Sequence, residues 1–159
     1  MNQVLLIIDA QQELIEGNEA VGPVFNKENL IITINSVIER AIEANVPIIF
    51  VRDLDVSNGK GNGFEVHEGI HVPLGAKVFD KAATNAFYGT GLLHYLQTKD
   101  INHIVIMGCE TQHCIDSAVR TATINGFDVT LVGDGHSTLG NEVLKHEQII
   151  QHHNKTLHG

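Results

Sequence analysis

Short, uninterrupted apolar runs alternate with helical segments along this chain, and that alternation constrains the fold more than any other feature. Residues 4–8 form a continuous apolar run that ends at Asp9, a pattern typical of a strand buried on both faces. Apolar residues then recur at helical spacing over 29–45, and a second apolar run follows at 46–51. Further strands are predicted at 76–79, 101–107 and 127–132, with helices at 91–99, 114–125 and 142–157. We therefore predict a three-layer, Rossmann-like α/β fold, with a parallel sheet of five or six strands and helices on both faces.

Length and charge exclude several classes of protein. A chain of 159 residues predicts one domain over residues 1–159. The 10 Lys and Arg residues against 19 Asp and Glu residues give a net charge of −9, which argues against nucleic acid or an anionic membrane as a partner. No apolar run approaches the roughly 18 residues of a membrane span. Because two cysteines are too few for a disulfide framework, we expect a cytoplasmic protein.

The carboxyl ends of the predicted strands are where chemistry is expected in such a sheet. Cys114 follows one of these strands, at the predicted start of a helix. Unpaired N–H groups and the helix dipole at that position favour a thiolate, the nucleophilic form of cysteine. The alternative is a buried structural cysteine, an interpretation that fits Cys109, at the end of an apolar strand, better. Cys114 is therefore the candidate nucleophile.

Two charged residues follow other predicted strands. Asp9 comes directly after five apolar residues, where a carboxylate can act as a general base or, alternatively, cap the next turn. Lys81 follows the predicted strand 76–79, where its ammonium can stabilise a carboxylate and a thiolate, although most loop lysines are solvated surface charges. Because parallel strands end at one edge of the sheet, these side chains can converge on Cys114.

Four segments of the sequence resemble the isochorismatase-like cysteine hydrolase family, which includes nicotinamidases and other small amidohydrolases. They are residues 4–11 (VLLIIDAQ), 81–90 (KAATNAFYGT), 108–115 (GCETQHCI) and 134–138 (DGHST). The resemblance implies a catalytic triad of Asp9, Lys81 and Cys114. It also implies a cis peptide bond between Cys109 and Glu110, and an oxyanion hole formed by the backbone N–H groups of Glu110 and Cys114.

The same resemblance points to two substrate-binding candidates. Phe87 corresponds to a family aromatic residue near the substrate, although a core position is an equally good interpretation. Gln11 is expected to orient either the substrate or only the loop that carries Asp9. His136 lies at a variable family position, and we assign it no role.

The resemblance implies an enzyme that hydrolyses an amide-type C–N bond of a small molecule through a thioester on Cys114. No cofactor is expected, and the family usually forms dimers or tetramers. Two alternatives remain open: an isochorismatase-type vinyl ether hydrolase, and a non-catalytic family member. A redox sensor that uses Cys109 and Cys114 is a weaker alternative, since their spacing is not Cys-x-x-Cys.

The segment 52–75 differs from that of the metal-dependent nicotinamidases, which carry an Asp-x-His group after the second strand. Asp55 stands where the first histidine of that group is expected, and His67 and His71 form an isolated pair. We therefore predict no metal site. The glycines of this segment, at positions 59, 61 and 63, do not lead from a strand into a helix as a dinucleotide-binding motif does, so we expect a flexible flap over the site.

Overall fold

A computed structural model describes residues 2–157, and its strands follow the apolar runs. The five strands are β1 (Gln3–Ile8), β2 (Ile48–Asp53), β3 (Lys77–Lys81), β4 (His103–Cys109) and β5 (Asp128–Ser137). They form one sheet in the order β3-β2-β1-β4-β5, in which every neighbouring pair is parallel. The predicted parallel α/β sheet is confirmed, with five strands.

Helices cover both faces of this sheet. They are α1 (Gln12–Glu16), α2 (Lys27–Glu43), α3 (Gly61–Phe64), α4 (Leu92–Thr98), α5 (Asp116–Ile124) and α6 (His146–Thr156). In β1, Leu6 and Ile8 face one core cluster with residues of α4 and α5, while Leu5 and Ile7 face a second cluster with residues of α1 and α2. This division explains why β1 is apolar at every position, since neither face of it meets water.

The amphipathic pattern of α2 illustrates how the helices attach to the sheet. Its buried residues, Leu30, Ile34, Ile38 and Ala41, recur every three or four positions and therefore share one face. Helix α6 packs against β5 and against the turn after β4. Within residues 2–157, no helix is both long enough and apolar enough to cross a bilayer.

Gly108, near the end of β4, allows β4 to approach β1 closely. It has a φ of +126°, and a Cβ atom there would collide with the carbonyl oxygen of Ile8 on the neighbouring strand. The pairing of β4 with β5 also shifts register between Ile106 and Gly108. Only glycine fits this backbone conformation and this contact.

Three local features differ from the sequence-based expectations. The third strand extends to Lys81, so this lysine is a strand residue instead of a loop residue. The fifth strand continues to Ser137, beyond its predicted end at residue 132. The segment 52–75 contains a short 3₁₀ turn (Val56–Gly59) and helix α3, so it is more structured than a simple flap.

Candidate active site

The ends of three strands bring Asp9, Lys81 and Cys114 together. Asp9 follows β1, Lys81 ends β3, and Cys114 lies in the turn after β4. The Nζ atom of Lys81 lies 2.9 Å from Oδ2 of Asp9 and 3.4 Å from Sγ of Cys114. All three residues are at most 9% exposed. The structure thus places the three residues in mutual contact distance in a buried cluster.

Asp53, at the end of β2, is a fourth member of this cluster, and the sequence analysis had assigned it no role. Its Oδ2 accepts a hydrogen bond from Lys81, and its Oδ1 accepts one from the backbone N–H of Asp55 at 2.9 Å. Because β2 lies between β1 and β3 in the sheet, its end necessarily adjoins both Asp9 and Lys81. This position at a strand end was the signal in the sequence that could have identified Asp53.

The carboxylate of Asp9 is held without a well-directed hydrogen bond. Its residue is 1% exposed and has a φ of +50°, a conformation that non-glycine residues rarely adopt. Lys81 approaches Oδ2 closely, yet neither oxygen of Asp9 accepts a hydrogen bond of good geometry from residues 2–157. A buried carboxylate with free lone pairs is well suited to accept a proton.

Burial and charge shift the pKa values of this cluster. Burial, opposed by the charge of Lys81, raises the pKa of Asp9 to about 6. Burial and the charge of Asp9 raise the pKa of Cys114 to about 12. Burial disfavours the Lys81 ammonium, but the charges of Asp9 and Cys114 outweigh it and raise the pKa of Lys81. The raised pKa of Cys114 favours the neutral thiol, which is opposite in direction to the thiolate expected from a helix N-terminus.

Cys114 lies in a π-helical turn, Thr111–Ile115, and α5 begins only at Asp116. The carbonyl of Glu110 accepts hydrogen bonds from the N–H groups of His113 and Ile115, at 3.1 and 3.2 Å. The N–H of Cys114, between these two donors, does not bond that carbonyl. The peptide bond between Cys109 and Glu110 is cis.

A chain of hydrogen bonds links this turn to the last described helix. Oγ1 of Thr111 lies 2.8 Å from Nδ1 of His136, and Nε2 of His136 lies 2.8 Å from Oδ1 of Asn154. Because Nδ2 of Asn154 donates to the carbonyl of Gly133, its oxygen must accept from Nε2–H of His136. Nδ1 of His136 then accepts a hydrogen bond from the hydroxyl of Thr111. Burial lowers the pKa of His136, which favours this neutral form. His136, to which the sequence analysis gave no role, thus braces the turn that carries Cys114.

Gln11 does not lie where a substrate contact requires it. It is fully buried, and its Nε2 donates to the carbonyls of Asp53 and Phe64, at 3.1 and 2.8 Å. Its Oε1 accepts the N–H of Asp53 at 2.7 Å. Because the amide is occupied by backbone groups, the assignment of Gln11 to substrate binding is corrected: it ties the ends of β1 and β2 to α3.

Phe87 also falls outside the cavity described next. It is partly buried and packs against the core cluster that includes Leu92, Leu96 and Cys114. This packing favours the alternative, an aromatic residue of the core, and the substrate contact of Phe87 stays a prediction.

A cavity of about 330 Å³ opens above Cys114. Its apolar wall is formed by side chains from α1, the following loop, the 3₁₀ turn and the end of β5: Leu14, Val21, Val56 and Leu139. Its other lining residues include Asp9, Glu13, Asp53, Asp55, Ser57, Glu110 and His113. The residues at 55–57 show that the segment 52–75 forms one side of the site. Glu13 and His113 are lining residues to which the sequence analysis had assigned no role.

The residues of the site do not fit the metal centre of the metal-dependent relatives. The one group of three potential ligands within residues 2–157 is Asp9, Asp53 and Cys114, and the ammonium of Lys81 already lies among them. His67 uses both ring nitrogens, toward Glu16 at 2.8 Å and the N–H of Gly69 at 3.0 Å. We therefore derive no catalytic step through a metal.

Comparison with known proteins agrees with this architecture. The isochorismatase domain profile matches residues 3–155. An uncharacterized isochorismatase family protein of Bacillus subtilis, YrdC, is 33% identical over 51% of this chain, and the match spans only 43% of that protein. A probable inactive nicotinamidase of Arabidopsis thaliana is 27% identical over 89% of this chain and 84% of its own length. The crystal structure of an isochorismatase family protein superposes with a TM-score of 0.93, at 26% identity, over 99% of this chain and 94% of that one.

Proposed function

The chain belongs to the isochorismatase family, a family of hydrolases, and we propose that it cleaves an amide-type C–N bond of a small molecule through a thioester on Cys114. The observation that carries the proposal is the position of the Lys81 ammonium, 2.9 Å from the Asp9 carboxylate and 3.4 Å from the Cys114 sulfur. A base, a cation and a nucleophile within contact distance at the floor of a cavity are the components of covalent acyl transfer.

In the first half of the reaction, Asp9 takes the proton of the Cys114 thiol while the sulfur attacks the carbonyl carbon. The N–H groups of Glu110 and Cys114 stabilise the oxyanion; in other acyl-transfer enzymes one such donor contributes about 3 kcal/mol. Asp9 then delivers its proton to the nitrogen, the C–N bond breaks, and an amine or ammonia leaves. The acyl group remains on sulfur.

The second half uses the same groups with water as the nucleophile. Asp9 takes a proton from water, and the resulting hydroxide attacks the thioester carbon. The C–S bond breaks, the acid is released, and the proton on Asp9 returns to the sulfur. Lys81 remains protonated throughout and stabilises the thiolate and the carboxylate as their charges alternate.

A trapped acyl group on Cys114 tests this proposal. The protein is incubated with a metabolite extract, quenched in acid and digested, and the peptide that contains Cys114 is examined by mass spectrometry. An added acyl mass that hydroxylamine removes is expected, and the Cys114→Ala variant, treated identically, should acquire none.

The competing candidate is a non-catalytic role, which the name of the Arabidopsis relative favours. The full set of Asp9, Lys81 and Cys114 argues against it. An unreactive Cys114 together with no turnover of a panel of amides, ureas and lactams would overturn the proposed reaction. Turnover of an isochorismate-like vinyl ether that survives Cys114→Ala would replace it with the vinyl ether alternative.

A further inference from the structure

The cavity is lined by acidic side chains to an extent that acyl transfer does not explain. Five residues of its lining carry carboxylates: Asp9, Glu13, Asp53, Asp55 and Glu110. Among the residues 2–157 that line it, none is a lysine or an arginine. Lys81 lies beneath the cavity, and its single positive charge faces both Asp9 and Asp53. The floor of the cavity therefore has no positive charge left over to balance the carboxylates at the mouth of the cavity.

The carboxylates at the mouth are held in place by neutral donors. Ser57 and Asn18 each donate a hydrogen bond to Glu13, and these bonds hold the pKa of Glu13 below its ordinary value. The hydroxyl of Thr138 donates to Glu110 at 3.1 Å. Because these donors are uncharged, they do not cancel the negative charges of the carboxylates. The electrostatic potential at the mouth of the cavity therefore stays negative.

Gly63 permits the contact that fixes Glu13. A Cβ atom at this position would collide with the Ser57 hydroxyl and approach the Glu13 carboxylate closely. The absence of a side chain therefore lets α3 pack against α1 and the 3₁₀ turn, with Ser57 directed at Glu13. The negative charge is built into the packing of three elements.

A second observation comes from the floor of the cavity. Asp9 is 1% exposed and lines the cavity, and apart from the ion pair of its Oδ2 with Lys81 neither of its oxygens has a hydrogen-bond partner among the described residues. A buried carboxylate in this state has its remaining hydrogen-bonding capacity available to a bound molecule.

We infer that the substrates of this site are small amides that carry a positively charged group, such as a protonated amine, recognised by Glu13 and Asp55. This inference rests on the proposed function and names its substrate class. Negative side chains around a cleft concentrate cations and repel anions, an effect that strengthens at low ionic strength. A cavity of about 330 Å³ lies at the small end of ligand sites, which suits a short molecule with one charged end.

Three amides that share a chain of four methylene groups attached to the carboxamide test the inference directly. In ω-aminovaleramide, hexanamide and adipic acid monoamide, the end far from the amide is an ammonium, a methyl group or a carboxylate. We expect kcat/KM for ammonia release to fall in that order, by about tenfold from the cation to the neutral amide. The difference should shrink in high salt. Hydrolysis at equal rates, or fastest for the anion, would overturn the inference and leave the proposed reaction intact.

A thiol reaction measures the same preference without requiring turnover. Aminoethyl and sulfonatoethyl methanethiosulfonate deliver a cation and an anion to Cys114, and mass spectrometry gives their relative rates, normalised to β-mercaptoethanol. We expect a cation preference of about tenfold that falls severalfold in Glu13→Gln and in Asp55→Asn. Glu39→Gln, an exposed site on α2, removes the same charge as a control and should leave the ratio unchanged.

The two measurements separate the two ideas. A cation preference at Cys114 without hydrolysis of any of the three amides would count against the proposed reaction while supporting the charge selection of the site. A ratio that Glu13→Gln and Asp55→Asn leave unaltered would overturn the assignment of these two residues. Because Asp55 is exposed, its variant is expected to fold even if Glu13→Gln does not.

Discussion

Cys109 and Cys114 lie close together in the sequence but on opposite faces of the sheet. Cys109 is fully buried in the core cluster that contains Leu5 and Ile7, whereas Cys114 packs in the cluster of Leu6 and Ile8 and also lines the cavity. Burial raises the pKa of both thiols. The difference between them is therefore not the resting ionisation of sulfur. Only Cys114 combines an opening to a cavity with the Lys81 ammonium and the Asp9 carboxylate beside it.

This comparison changes how the nucleophile is expected to work. A low thiol pKa is one way to activate a cysteine, but here the burial that excludes water also opposes the free thiolate. The sulfur is best activated in concert with attack, by proton transfer to Asp9. This contrast between the two thiols leads to testable expectations, and the strongest of them concerns catalysis itself.

Replacing each cysteine with alanine should separate their roles most strongly. Cys114→Ala removes the nucleophile, and we expect turnover to fall by at least about a thousandfold while the fold is retained. Cys109→Ala should retain its turnover. Its free energy of unfolding should fall by about 1–2 kcal/mol, because the substitution removes the sulfur atom of a packed core side chain. Steady-state kinetics and chemical denaturation of both variants provide the measurement. Comparable activity in the two variants would show that Cys114 is not the nucleophile.

Alkylation of the native protein should discriminate between the thiols without a substrate. We expect iodoacetamide to label Cys114 at least about a hundredfold faster than Cys109, because Cys109 becomes accessible only when the core opens. Peptide mapping after timed exposure gives both rates. In urea the two rates should converge, which controls for intrinsic reactivity. Faster labelling of Cys109 would identify the wrong nucleophile.

The reactivity of Cys114 should depend on pH through Asp9. The pKa of Asp9 is raised to about 6, so below that pH the carboxyl is protonated and can no longer take the thiol proton. We expect kcat/KM to fall by about tenfold for each pH unit below 6. A pH profile measures this acidic limb, and Asp9→Asn should remove it along with most of the activity. An acidic limb near the ordinary value of an aspartate would contradict the buried environment of Asp9.

The bracing of the turn that carries Cys114 should give the smallest effect. His136→Phe removes both hydrogen bonds of the imidazole, and we expect kcat to fall by about tenfold with KM nearly unchanged. His136→Asn places an amide oxygen near the position of Nδ1 and should recover part of that loss by accepting the Thr111 hydroxyl. Labelling of Cys109 should stay slow in both variants. A change in KM alone would assign His136 to substrate binding instead.

The strands, and the convergence of residues at their ends, were predictable from sequence for a simple physical reason. A strand buried on both faces must be apolar at every position, and parallel strands must end at the same edge. The apolar run at 4–8 therefore indicated, from the sequence alone, that Asp9 lies at the end of a buried strand. The same argument pointed to Lys81 and Cys114 after other strands, and motifs resembling those of the family implied that the three residues form a triad.

The roles of Asp53 and Gln11 depend on partners that are distant in sequence. Whether Asp53 is structural or part of the site depends on where the Lys81 ammonium points, which is fixed only when β2 and β3 pair. The amide of Gln11 is equally compatible with a ligand or with backbone groups until α3 packs above it. The extension of β5 through Gly133 and Gly135 was missed because the run that predicted this strand ends at Val132.

Asn154 has a consequence for the order in which the enzyme becomes competent during synthesis. Its codon is translated after those of all five strands, so a ribosome exposes it last among the residues of the hydrogen-bond chain through His136 and Thr111. A nascent chain with a complete sheet would still hold its reactive sulfur in an unsupported turn. Full reactivity therefore has to wait until α6 has been synthesised and has packed against β5.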